Sequence, residues 1–243
     1  KHGAAIEEAN WQAERVIEIA NVDGIPPTGA VALLRQDHQN LGRRLFASHC
    51  SSCHLYNGHD GRGYPVEDSP SAADLAGFGS VEWITRLLDY DHYVSDKYFG
   101  GTKFKDGTMA RKVLAKYTEE EKALLPDIAL LLADGAKLPY EEPLDEEKRE
   151  ELLSLYYNDD LDFEDGRSCI ECHDIDSEDE GSAPDLTGYA SRDWLIEFIG
   201  NPEDDRFYGK KNDRMPCYAR DGKLKPEEIA ILADWIRSNP AEF

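Results

Sequence analysis

Cys50-Ser51-Ser52-Cys53-His54 and Cys169-Ile170-Glu171-Cys172-His173 are the two stretches that decide how this chain reads. A pair of cysteines three apart can be a redox dithiol, half of a zinc site or an attachment point for c-type haem, and a histidine directly after the second cysteine singles out the haem. Two thiols at i and i+3, entering a helix, lie on one side of it. There both can form thioethers with the vinyl groups on one haem edge, while the next histidine reaches the iron as proximal ligand. Zinc ribbons hold their cysteine pairs roughly 15–20 residues apart, whereas 115 residues separate Cys53 from Cys169. The expected cofactors are two covalently attached haem c groups, held by Cys50, Cys53 and His54 and by Cys169, Cys172 and His173.

The chain has only two methionines: Met109, 55 residues after His54, and Met215, 42 residues after His173. Methionines used as gap fillers scatter through a core. These stand one after each box, in surroundings rich in glycine and lysine. Met/His ligation is an established arrangement for the iron of cytochromes c. The expected iron ligands are therefore His54 with Met109 and His173 with Met215.

The similarity between the two halves runs well past the boxes. Asp74-Leu75-Ala76-Gly77-Phe78-Gly79-Ser80-Val81-Glu82-Trp83-Ile84 lines up with Asp185-Leu186-Thr187-Gly188-Tyr189-Ala190-Ser191-Arg192-Asp193-Trp194-Leu195 at an offset of 111. Asp96-Lys97-Tyr98-Phe99-Gly100 then meets Asp205-Arg206-Phe207-Tyr208-Gly209 at 109, and Met109 meets Met215 at 106. Shrinking offsets are small loop deletions within one plan, so the chain is a tandem duplication.

Local signals predict helices throughout. Ser80 and Ser191 read as N-caps of short helices with apolar residues at Val81, Ile84, Leu87 and Leu88 and at Trp194, Leu195, Phe198 and Ile199. Thr118-Glu119-Glu120-Glu121 is a capping box opening a helix with Leu124, Leu125, Ile128, Leu131 and Leu132 on one face, kinked by Pro126. A last helix begins near Pro226 and carries Ile229, Leu232, Ala233 and Ile236. Near the N-terminus, Ile6 to Ala20 show a stripe of Ala9, Ala13, Val16, Ile17 and Ala20 that excludes Trp11.

This order of elements resembles the class I cytochrome c fold, twice over. In that fold a first helix such as Gly42-Arg43-Arg44-Leu45-Phe46 crosses the C-terminal helix through its glycine and aromatic. The second repeat is weaker here, with a helix around Glu147 to Tyr157, then the acidic Asn158-Asp159-Asp160-Leu161-Asp162 before Gly166. The resemblance implies an all-α fold: two tandem class I cytochrome c-like domains, 36–138 and 139–243, behind a helical, proline-containing lead-in over 1–35. It also implies that a backbone carbonyl fixes each proximal histidine, from Ala73 for the first and Pro184 for the second. The lead-in, including Gly24-Ile25-Pro26-Pro27-Thr28-Gly29, together with the boxes, resembles the di-haem C-terminal module of the cytochrome b/c-type subunit of bacterial bc-type quinol:acceptor oxidoreductases. There the helix and proline stretch joins the last membrane helix to the haem domains. That resemblance implies electron relay from a membrane cytochrome b/Rieske-type complex to a soluble acceptor. A free-standing di-haem carrier is the alternative.

An iron with protein ligands on both faces has no open position, which points to outer-sphere electron transfer rather than catalysis. Di-haem peroxidases also carry two such boxes, commonly with a second histidine as a removable ligand. All five other histidines, His2, His38, His49, His59 and His92, precede residue 93, and each repeat already offers a methionine. Cys217 reads as a buried small hydrophobe, an intermolecular disulfide partner or an alternative iron ligand. Trp83 and Trp194 read as core aromatics that wall the haems, or else as electron-tunnelling groups.

With 27 basic and 50 acidic residues the formal charge is −23, which excludes a general nucleic-acid binder. Residues 1–138 carry −5 and residues 139–243 carry −18, with 11 acidic residues between Asn158 and Glu180. Around the methionines the sign reverses, with Lys103, Lys105, Arg111 and Lys112 near one and Lys210, Lys211 and Arg214 near the other. Such basic rims suit one docking partner and the acidic half another. No run of about 18 apolar residues spans a bilayer. The chain starts at Lys1, so it is expected to be processed or excised from a longer, membrane-tethered protein. Covalent haem attachment places it in the periplasm or an equivalent lumen.

Overall fold

The computed structural model describes residues 2–157, 168–175 and 181–240; over these the chain is helical and forms no strand. The acidic stretch at 158–162, Gly166 and residues 176–180 lie outside the described residues. The lead-in forms α1 (His2–Asp23) and α2 (Val31–Gln36), and α3 (His38–His49) runs straight into the first box. Asp37 caps α3, accepting the Asn40 N–H at 3.0 Å.

The lead-in helix docks by a different face from the one its alanine stripe predicts. Ala9, Ala13 and Ile17 are exposed, while Glu8 is buried. Arg43 and Arg62 pair with the Glu8 carboxylate at 3.0 and 3.3 Å, and the Arg43 guanidinium lies 3.9 Å from the centre of the Trp11 ring. Arg15 forks onto Asp37 at 3.1 and 2.8 Å. Charge pairing and one cation–π contact tie α1 to the body, and of the expected stripe only Val16 and Ala20 are half-buried.

After the first box come α4 (Val81–Leu87) and the single-turn α5 (Tyr90–Tyr93). Met109 opens a π-helical turn, Met109–Val113, a distortion frequent at functional sites. The capping box forms as the sequence predicts: Thr118 Oγ1 accepts from Glu121 N at 3.2 Å and Glu121 accepts from Thr118 N at 2.6 Å. It opens only the short α6 (Glu119–Lys122). The chain then restarts as α7 (Leu125–Ala136) with Pro126 in its first turn. Proline lacks the N–H that a continuous helix would need, and at a helix start that N–H is not required, so a break replaces the expected kink. Thr118→Ala should cost about 1 kcal/mol and lower Tm by about 2–4 °C, measurable by thermal unfolding.

The second repeat supplies α8 (Glu146–Tyr157), α9 (Arg192–Gly200) and α10 (Pro226–Ile236). The predicted caps hold: Ser80 accepts from Trp83 N and Ser191 from Trp194 N. α4 packs on α7 and α9 on α10, each within its own repeat. The box helices do otherwise. α3 packs on α10, and α8 packs on α7, so packing crosses the 138/139 join in both directions.

The two halves meet at equivalent residues, Gly79 and Ala190. A Cβ on Gly79 would lie 2.4 Å from the Ala190 Cβ, so only glycine fits there. Around this point Phe78 contacts Trp83, Tyr189 and Trp194 with ring centroids 4.8, 5.6 and 6.4 Å away.

Candidate functional site

Each box folds into the same turn. Cys53 N and His54 N both donate to the Cys50 carbonyl, at 3.0 and 2.8 Å, and Cys172 N and His173 N both donate to the Cys169 carbonyl, at 3.2 and 2.9 Å. The turn carries both thiols and the histidine out of one loop of backbone. No disulfide joins any of the five cysteines. Burial, with the neighbouring Cys53, pushes the Cys50 thiol up to about 12, and burial pushes Cys169 up to about 11. A redox dithiol needs a lowered thiol pKa, so the pairs are poorly suited to that chemistry. Among the described residues no group of three or more His, Cys, Asp and Glu side chains is gathered to hold a metal ion.

The two box histidines are held alike. His54 Nδ1 lies 2.7 Å from the Ala73 carbonyl and His173 Nδ1 lies 2.7 Å from the Pro184 carbonyl, the two acceptors expected from the resemblance. A carbonyl can only accept, so Nδ1 carries the proton in each ring and Nε2 keeps its lone pair. Burial lowers both imidazole pKa values against the opposing effect of these hydrogen bonds, which holds the rings neutral. A neutral, oriented imidazole beside two thiols is the donor set that covalent haem requires.

Residues 163–240 match the model of the cytochrome c family. No curated protein and no solved structure matches the chain. The cytochrome c domain so matched contains the second box and Met215; the first box lies outside it. The first repeat is nevertheless built on the same bonds. Asp74 N donates to Lys97 O and Asp185 N to Arg206 O, both at 2.9 Å. The Trp83 indole donates to Asp74 O at 3.1 Å and the Trp194 indole to Asp185 O at 3.5 Å. Trp83 and Trp194 are buried at 2% and 5% exposure, in keeping with core aromatics.

The repeats differ in how the loop under the histidine is tied. Asp74 is buried and its carboxylate accepts three backbone N–H groups: Asn57 at 2.9 Å, Gly58 at 2.8 Å and Ala76 at 3.0 Å. Among the described residues Asp185 accepts one, from Thr187 at 2.7 Å, and pairs with Arg206 at 3.0 Å.

Met109 and Met215 are both partly buried against the hydrophobic core. Cys217 is 1% exposed, which leaves no accessible thiol for an intermolecular disulfide. Two tyrosines that the motif reading passed over stand at the boxes. Tyr218 donates to His49 O at 2.5 Å and contacts the His49 ring edge-on, directly before Cys50. The Tyr117 side chain lies beside the Cys169 thiol. Their one signal in the sequence is an aromatic a few residues beyond each methionine.

The two basic rims adjoin. Lys103 Nζ donates to Asn212 O at 3.0 Å and Arg214 donates to Gly101 O at 3.3 Å, which joins the methionine-bearing loops. Lys103, Lys105, Arg111, Lys112, Lys210, Lys211 and Arg214 are all exposed around them.

Proposed function

We propose that the chain is a di-haem c-type cytochrome that relays electrons from a membrane quinol-oxidising bc-type complex to a soluble acceptor. The observation that carries this reading is the duplicated histidine setting, with Nδ1 bonded to Ala73 O in one repeat and to Pro184 O in the other. Cytochrome c domains attach haem covalently, and haem supplies one-electron exchange at its iron. His54, His173, Met109 and Met215 would hold the two groups, with a neutral imidazole and a thioether for each. The groups would supply one-electron exchange with no bond made or broken, and with protein ligands already in place they would offer no position to a substrate, which makes the chain a carrier rather than a catalyst.

The adjoining basic rims, on a chain of net charge −23, favour an acceptor that presents an acidic face there. No helix among the described residues is long and apolar enough to cross a membrane. The compartment would follow from haem attachment, which is extracytoplasmic.

Intact-mass measurement should show two haem additions, reduced to one by Cys169→Ser with Cys172→Ser. Stopped-flow reduction by a bc-type complex should be fast and should slow markedly as salt screens the docking charges. One haem in the unaltered protein would refute the di-haem reading, and peroxide turnover by the isolated chain would favour the peroxidase reading.

A further inference from the structure

The methionine-bearing loops change repeats on their way past the boxes. In the second repeat, Lys211 still reaches its own half, donating to Ser182 O at 2.6 Å, beside Ala183, whose N–H bonds Cys172 O. Arg214, the residue before Met215, has crossed over to Gly101 O. Gly101 lies against Pro70 and Ser71, and Ser71 N donates to Cys53 O. Beyond the methionine, Tyr218 closes on His49 O. Contacts with the first box's surroundings thus lie on both sides of Met215.

The first repeat mirrors this path. Its loop leaves Gly101, crosses at Lys103 to Asn212 and Asp213, passes Met109, and arrives with Tyr117 at Cys169 of the second box. The helices that follow have exchanged in the same sense. α10, after Met215, lies on α3, which leads into the first box; α7, after Met109, lies on α8, which leads towards the second.

Side-chain size favours the exchange. Trp235 needs a glycine opposite, and α3 supplies Gly42 four residues before Phe46, whereas α8 carries Leu152 four residues before Tyr156. A Cβ on Gly42 would sit 2.3 Å from the Trp235 Cβ, so a leucine in that place could not be accommodated.

We infer that the axial ligands are crossed between the repeats: His54 pairs with Met215 and His173 with Met109. This replaces the pairing within each repeat that sequence order predicts. It rests on the proposed function only in requiring a haem on each box. Each iron would then be held by both halves of the chain, which couples the two sites mechanically.

The test starts from a chain carrying haem on the second box alone, made by Cys50→Ser with Cys53→Ser. Adding Met109→Ala should abolish the far-red thioether charge-transfer band of the ferric protein, and adding Met215→Ala should leave it. The reverse pattern overturns the crossing. Should that background not fold, the unaltered reduced protein labelled at its methionine methyls decides. The Met215 ε-methyl should show NOEs to the thioether protons of Cys50 and Cys53, and the Met109 ε-methyl to those of Cys169 and Cys172. NOEs within each repeat, or no methionine methyl at either iron, overturn the inference. Intact mass on the same sample reports haem occupancy separately, so a missing haem counts against the proposed function instead.

Discussion

Gly42→Val is expected to destabilise the folded chain by about 3 kcal/mol or more, read as a lower denaturant midpoint with an unchanged slope. Any Cβ at this position would stand 2.3 Å from the Trp235 Cβ and 2.5 Å from its Cγ, well inside contact distance. α3 and α10 must then separate. The separation undoes the Phe46–Trp235 ring contact at 5.2 Å and the Tyr56–Trp235 contact at 4.3 Å. Trp235→Gly alone should cost about 4–6 kcal/mol, as a large aromatic leaves the core and a glycine enters the helix. The double variant should cost about 2 kcal/mol less than the two single costs added together, because glycine removes the Trp235 Cβ and Cγ that the valine Cβ would meet. Additive costs would mean that Gly42 does not face Trp235 in solution. In that event α3 has another partner, and the exchange of helices between repeats falls with it.

Asp74→Ala should be the second severe substitution, with a loss of about 3 kcal/mol. The carboxylate is 4% exposed and satisfies three backbone N–H groups in the loop that follows the first box. Alanine would leave those donors unpaired. Its effect should reach the site, since Ala73, whose carbonyl orients His54, is the preceding residue. We expect a Tm drop together with a changed haem spectrum for the first site. Asp185→Ala should be milder, because Asp185 is only half-buried and accepts a single backbone N–H besides Arg206. Equal losses at the two positions would show that the carboxylate anchor is not what separates the repeats.

The parts of this arrangement fixed by local chemistry were legible in the sequence. The caps at Ser80, Ser191 and Thr118 and the Pro226 helix start depend on residues close in the chain and formed as the motifs predict, and the carbonyl acceptors Ala73 and Pro184 are those the resemblance implies. The partner of α3 was not legible. Gly42 and Phe46 announce that a helix will cross them, but α7 and α10 both offer an apolar face, and period and composition do not choose between them. The signal lay in size: Trp235 demands a glycine that α8 lacks. The N-terminal stripe misled for a related reason. Alanines at helical spacing offer little area to bury, and the pairing of Glu8 with Arg43 and Arg62 outweighed them. Likewise, sequence order alone could pair each methionine only with the box before it, since the crossing depends on contacts such as Arg214 with Gly101, 113 positions apart.

The seating of α3 on α10 also sets a timetable for the newly made chain. Gly42 and Trp235 are 193 positions apart, so α3 has only the lead-in helices beside it until nearly the last residue has been delivered. α7 and α8 are neighbours in the chain and can pair as soon as both exist, because closing a short loop costs little entropy. The second box is therefore enclosed early, and the first stays open to the end. Under the proposed function Cys50 and Cys53 would stay open to thioether formation during all that time, and the arrival of α10 would close the first box last.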